Sequence, residues 1–251
     1  MILLLGGTSE TGPLAQALLD QGLDLLVSTA TDAPLALPPG VARRCGRMDA
    51  DAIAGLSASL GVRALVDAGH PFALGLHAAC RAAAASTGLP LLCWLRAPSE
   101  LPPDTLLATG HPDAARKAFD LGGPVLVTSG SRNLAPYVAE ARRTGLPLLA
   151  RVLDHPDSLA ACLATGLETS EIVTGRGPFT LQENRDLLRR HCARALVTKD
   201  SGTAGGLQAK LDAAQLEGCA VVVVTRPEAC ADGFTSVQRL AKAAAACCPR
   251  P

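Results

Sequence analysis

The sequence predicts an α/β protein built from two doubly wound, Rossmann-like parallel-sheet domains facing each other across a cleft. Three observations predict it. Short apolar runs alternate with helical patterns along all 251 residues. Glycine-rich loops follow two of those runs, after Leu5 and after Thr198. A stretch broken by three prolines, Arg96 to Pro103, interrupts the rhythm and marks a domain link.

Taken in order, the first domain (residues 1–97) reads as strands at Ile2–Leu5, Asp24–Ser28, Val41–Arg44, Arg63–Asp67 and Pro90–Trp94. Between them lie helical patterns at Pro13–Gln21, Asp49–Leu60 and Phe72–Thr87. The second domain (residues 98–251) repeats the rhythm. Its strands are expected at Thr105–Ala108, Val125–Thr128, Pro147–Val152, Glu171–Val173, Ala195–Thr198 and Ala220–Thr225. Its helices are expected at Asp113–Asp120, Leu134–Thr144, Ser158–Leu163, Leu181–His191, Gly206–Glu217 and Thr235–Ala246. Strands alternating with helices favour parallel sheets covered on both faces.

Composition narrows the function classes. Hydrophobic residues make up 48% and charged residues 18%, ample material for two cores. The formal net charge is zero, which argues against a nucleic-acid partner. No apolar run approaches the ~20 residues of a membrane span, and the N-terminal run is too short for a signal peptide. The nine cysteines contain no C-x-x-C pair, and most sit in apolar segments as small hydrophobes. Reduced thiols in the cytoplasm are the expectation, and no metal site is expected.

The chemistry gathers at the ends of strands. Gly6-Gly7-Thr8-Ser9-Glu10-Thr11-Gly12 turns directly from a strand into a helix. This is a variant of the fingerprint in which glycines let the backbone approach a pyrophosphate. Asp67-Ala68-Gly69-His70-Pro71-Phe72 follows another strand, Thr128-Ser129-Gly130-Ser131-Arg132-Asn133 a third. Arg151 ends a strand, Arg176 follows the next, and Lys199-Asp200-Ser201-Gly202 precedes Gly205-Gly206 and Lys210. With Arg96 from the link, Arg132, Arg151, Arg176 and Lys199 make a basic cleft in a neutral protein, suited to a polyanion. Ser131 and Asn133 serve equally well as helix caps.

Together, Gly6-Gly7-Thr8-x-Glu10, His70-Pro71-Phe72-Ala73 after Asp67, Gly130-Ser131-Arg132, Arg151-Val152, Gly175-x-Gly177-Pro178-Phe179 with Glu183-Asn184, and Thr198-Lys199-Asp200-Ser201-Gly202 with Lys210 occur in this order in one family. The chain resembles the precorrin-6A reductases of corrin biosynthesis, including the cobalt-precorrin-6A reductases, from Ile2 to about Arg226. Gly69 departs from the pattern, standing where the family usually has threonine.

The resemblance implies hydride transfer from a reduced nicotinamide to one double bond of precorrin-6A, a macrocycle rimmed with carboxylates. It implies cofactor contacts at Gly6, Gly7, Thr8, Ser9, Glu10, Thr11, Ser28, Thr29, Asp67 and His70. Substrate contacts are expected at Arg96, Ser131, Arg132, Arg151, Gly177, Phe179, Lys199, Asp200, Ser201 and Gly202. His70, Lys199 and Ser201 are the candidates for the chemistry. His70 is the candidate proton donor, with the alternative that His70 and Asp67 only shape the turn before Pro71. Lys199 and Ser201 read better as positioners, and Asp200 as the group orienting Lys199. The second strand ends in Ser28-Thr29 with no carboxylate for a ribose hydroxyl, which favours NADPH, with NADH as the alternative. Two other readings are another NADPH-dependent reductase of an anionic substrate and a non-catalytic nucleotide-binding protein.

Overall fold

A computed structural model describes residues 1–97, 99–202, 206–227 and 233–248. In chain order the elements begin β1 (Ile2–Gly6), α1 (Thr11–Asp20), β2 (Leu25–Thr29), β3 (Ala42–Cys45), α2 (Ala50–Ser59), β4 (Ala64–Asp67), α3 (Leu74–Thr87) and β5 (Leu91–Cys93). They continue β6 (Leu106–Ala108), α4 (His111–Phe119), β7 (Val125–Val127), α5 (Ala135–Thr144), β8 (Leu148–Leu153), α6 (Pro156–Ala164) and β9 (Ile172–Gly175). Last come α7 (Leu181–Arg190), β10 (Ala195–Lys199), α8 (Leu207–Leu216), β11 (Ala220–Val224) and α9 (Val237–Ala246).

Two compact units result: Met1–Ala97 with Glu228–Pro251, and Pro98–Pro227. The first holds a parallel sheet in the order β3-β2-β1-β4-β5, with Leu4 opposite Val27 on one side and Val66 on the other. Ile2 and Leu4 pack toward α1 and α9, whereas Leu3 and Leu5 pack toward α2 and α3. A strand covered on both faces therefore needs an unbroken apolar run, and Ile2–Leu5 is one. The second unit holds a parallel sheet in the order β6-β11-β10-β7-β8-β9, with α7 and α8 packed on one face through Leu187, Leu188, Ala213 and Ala214.

Helix starts follow local chemistry. Asp49 accepts the Ala52 N–H at 2.9 Å and opens α2, while Thr180 and Glu183 form a capping box at α7. Helices α4 and α6 begin two residues earlier than the sequence reading expects, at His111 and Pro156. Pro112 and Pro156 fit the first helical turn, where a proline's missing N–H has no partner to lose. Short 3₁₀ turns at Ser131–Asn133 and Thr169–Glu171 were not anticipated.

One boundary needs correction. The expected second domain ran to residue 251, but α9 belongs to the first unit. Leu240, Ala241 and Ala244 are buried against Ile2, Leu4, Leu14 and Leu18. Phe234 prepares that return by a parallel bridge to Trp94, donating its N–H to the Cys93 carbonyl at 2.8 Å and accepting from Leu95 N–H at 2.7 Å.

Candidate active site

In the first sheet the winding reverses between β1 and β4, since β2 and β3 lie to one side and β5 to the other. Open α/β sheets bind ligands at the carboxyl ends of strands beside such a reversal. After β1, Gly7 is exposed at φ +120°, a conformation that a side chain resists. The N–H groups of Gly7 and Thr8 donate to Thr11 Oγ1 at 2.9 and 3.1 Å. Thr11 is fully buried, and a Cβ on Gly6 would stand 2.5 Å from that oxygen, so Gly6 and Thr11 require one another. Thr8 Oγ1 is buried without a hydrogen-bond partner, an orphan that a bound polar group would satisfy. Arg96 also braces this loop: its Nη2 lies 2.6 Å from Glu10 Oε2, and both side chains are largely buried.

The end of β2 carries a feature that the sequence reading missed. Ser28 and Thr29 are buried, and the β2–β3 register sets Arg44 opposite Ser28. Arg44 Nη1 donates to the Gly46 carbonyl at 3.0 Å and to Ser28 Oγ at 3.4 Å. Arg43 Nε donates to Thr29 Oγ1 at 3.0 Å, and that hydroxyl in turn donates to the Thr31 carbonyl at 2.8 Å. Thr29 therefore shapes the strand end, and two guanidinium groups flank it. The absent carboxylate was legible; the arginines come from strand pairing.

At the end of β4, Asp67 is buried and accepts the Gly69 N–H on Oδ1 at 3.0 Å. Its Oδ2 lies 2.7 Å from His77 Nδ1, and His77 Nε2 lies 3.0 Å from the His70 carbonyl. His70 Nδ1 accepts the Phe72 N–H at 3.2 Å, which leaves the neutral ring's proton on Nε2. A Cβ on Gly69 would sit 2.9 Å from Leu76 and 3.1 Å from Asp67 Oδ1, so this turn is packed around a glycine.

In the second sheet the reversal falls between β7 and β10. Gly130, at φ +88°, leads into the turn carrying Ser131 and exposed Arg132. Arg151 on β8 is only 6% exposed; its Nη2 donates to Asn184 Oδ1 at 2.8 Å, and its guanidinium lies 3.9 Å from the Phe179 ring centroid. Gly175 and Gly177 make room for that ring, since a Cβ at either would meet it at 2.9 or 3.3 Å. Burial lowers the Arg151 guanidinium to about 10. Lys199 is lowered by burial and by Arg132. Lys210 is pushed down to about 8 by burial and then by Arg151 and Lys199, with Nζ 3.5 Å from Thr198 Oγ1. Burial and Lys199 take the His111 imidazole down to about 4, so it is neutral at pH 7 beside the Tyr137 hydroxyl, 2.8 Å away. Arg132, Arg151, Lys199 and Lys210 thus crowd one edge with like charge, an arrangement that an anion relieves.

Asp200 corrects a second expectation. It does not orient Lys199: Arg226 grips it through Nε to Oδ2 at 2.9 Å and Nη2 to Oδ1 at 3.0 Å. Ser99 Oγ and the Gly202 N–H also donate to Oδ1, at 2.8 and 3.3 Å, so Asp200 organises the loop holding Ser201 and Gly202. Gly202 takes φ +77° there. Asn184 and Lys210 stand within the sequence motifs, and the fold gives them their contacts; Arg226, His111 and His77 become partners only through pairings that no local motif announces. Residues 203–205 of the glycine-rich stretch lie outside the described residues.

Residues 1–247 match the family described as Precorrin-6x reductase CbiJ/CobK. The cobalt-precorrin-6A reductase of Priestia megaterium is 31% identical over 232 residues, covering 91% of each chain. The precorrin-6A reductase of Rhodococcus erythropolis is 36% identical over 231 residues, covering 90% of this chain and 89% of that one. A solved CobK precorrin-6A reductase superposes with a TM-score of 0.76 at 29% identity, covering 98% of this chain and 96% of that chain. Matched over nearly its whole length in sequence and in fold, the chain belongs to the precorrin-6x reductase family.

Proposed function

We propose that the protein reduces one carbon–carbon double bond of precorrin-6A, or of its cobalt-bearing form, to the precorrin-6B level in cobalamin biosynthesis. NADPH is the preferred cofactor, and its nicotinamide supplies the hydride. The residues fit it. Gly7 leaves the chain open where a pyrophosphate would approach, and Thr8 Oγ1 lacks a partner there. Gly7 and Thr8 have given their N–H groups to Thr11, so the amides of Ser9, Glu10 and Gly12 would receive the phosphates at the start of α1. Arg44, with Ser28 beside it, would take the 2′-phosphate.

In the second unit Arg132, Arg151, Lys199 and Lys210 would receive the acetate and propionate carboxylates of the macrocycle. Ser131 and Ser201 add hydroxyl donors at the same strand ends. The observation that carries this reading is the coincidence of motif and topology: the glycine loop stands at the reversal of one sheet and the cation cluster at the reversal of the other. Among the described residues no helix is long and apolar enough to cross a membrane, and eight cysteines are free thiols. A cytoplasmic enzyme working on a diffusing substrate agrees with both.

The test is an anaerobic incubation with NADPH or NADH and either form of precorrin-6A, followed by absorbance. We expect nicotinamide oxidation coupled to a change in the macrocycle spectrum, faster with NADPH. No oxidation of either nicotinamide with either macrocycle would overturn the assignment.

A further inference from the structure

We propose that His77 is a positioning residue: as an imidazolium donating from both ring nitrogens, it ties the Asp67 carboxylate to the His70 carbonyl and fixes the turn that carries His70. The functional part of this inference rests on the cofactor reading above, extended here to put the nicotinamide at the end of β4 beside His70.

The geometry supplies the argument. His77 Nδ1 faces Asp67 Oδ2 at 2.7 Å, and Nε2 faces a backbone carbonyl at 3.0 Å. Neither partner carries a proton to give. A neutral imidazole has a single N–H and would leave one nitrogen lone pair against an oxygen lone pair. Two protons satisfy both contacts. The other Asp67 oxygen is held by the Gly69 N–H, so the carboxylate cannot swing away. The His70 carbonyl also accepts the Ala73 N–H at 2.7 Å, so the clamp closes on a turn already hydrogen-bonded to itself.

The charges agree. Asp67 on β4 raises the His77 pKa by its hydrogen bond, which outweighs burial, while Arg81 one turn further along α3 opposes it. Helix α2, packed on α3, adds no charged group to those acting on the ring. A raised histidine pKa means that the clamp is intact below it and is lost as pH rises through it. The turn then loses one of the bonds that set which ring nitrogen His70 presents. Hydride transfer is sensitive to such shifts, because a displacement of about 1 Å can cost ~10²-fold.

The test combines two readouts on the full-length protein. Nitrogen-resolved NMR titration is expected to show both His77 ring nitrogens protonated near neutral pH, with a pKa above 6.5 that falls in Asp67→Asn. In steady-state kinetics the wild-type kcat should decline as pH rises through that pKa. His77→Gln, which keeps one hydrogen bond but does not titrate, should lower kcat at least tenfold, remove that decline and leave the macrocycle KM unchanged. A neutral His77 with a single tautomer at pH 6.5 would overturn the proposal, as would a His77→Gln enzyme that keeps the wild-type kcat and pH profile. Loss of melting temperature with an unaltered pH profile would overturn it too, since that marks a merely structural contact. A wild type without turnover would count against the reductase assignment, and the NMR titration would still decide the clamp.

Discussion

Arg151 and Phe179 form a cation–π pair, the guanidinium 3.9 Å from the ring centroid, although 28 positions separate them in the chain (179 − 151). The ring covers one face of the guanidinium while Asn184 takes one of its N–H groups, so a buried charge is held in a fixed orientation. Lysine cannot reproduce that fork. Arg151→Lys should therefore raise the macrocycle KM ten- to a hundredfold, the scale of one charge-assisted bond of roughly 1.5–3 kcal/mol, with nicotinamide affinity nearly unchanged. An Arg151→Lys enzyme with the wild-type KM would remove Arg151 from the substrate contacts.

Lys210 gives the second unit a pH dependence. With its pKa near 8, it is charged at pH 7 and neutral at pH 9. If it grips a carboxylate, the macrocycle KM should climb across that interval in the wild type and stay flat in Lys210→Met. The sign for stability is the reverse. Between about 8 and the ordinary lysine value the unfolded chain binds the proton more tightly, so the folded state gains as pH rises. Lys210→Met should accordingly melt a few degrees higher at pH 7 while binding the macrocycle more weakly.

Cofactor choice is expected to turn on the β2–β3 edge. Arg44→Ala should reduce the preference for NADPH over NADH about tenfold or more, and Ser28→Asp should reverse it by placing a carboxylate at the strand end. Fluorescence titrations with both nucleotides check this. Equal losses for the two would locate the 2′-phosphate elsewhere.

Helix α9 is expected to stabilise the first unit despite its distance in sequence. Leu240→Ala removes a fully buried side chain from the core around Leu4 and Leu14, at a cost of about 2–5 kcal/mol. Hydrogen exchange should show β1 and α1 losing protection while β7 and β10 keep theirs. Protection lost equally in both units would mean that they unfold as one.

Much of this molecule can be read from local pattern. Ile2–Leu5 and Val125–Val127 are apolar without interruption because both faces of a parallel strand are covered, and that condition is written into consecutive residues. The glycine loop after Leu5 and the Lys199–Gly202 loop are legible for a similar reason, since turn geometry and helix starts depend on residues next to one another. Where local rules compete, as at Pro112 and Pro156, the boundary slips by a turn or less.

Pairings between distant residues were decided by the fold. Nothing near Asp200 announces that Arg226 will hold it rather than Lys199, and nothing near Ser28 names Arg44 as its neighbour. The same holds for the burial that lowers Lys210 and the two acceptors that enclose His77. By itself the sequence determined the family, the two parallel sheets and the glycine-rich and charged loops that follow their strands. Only the tertiary structure decided which charges are paired, which are buried, and that the last helix returns to the first sheet. Strand register and burial depend on residues many positions apart, and no local period records them.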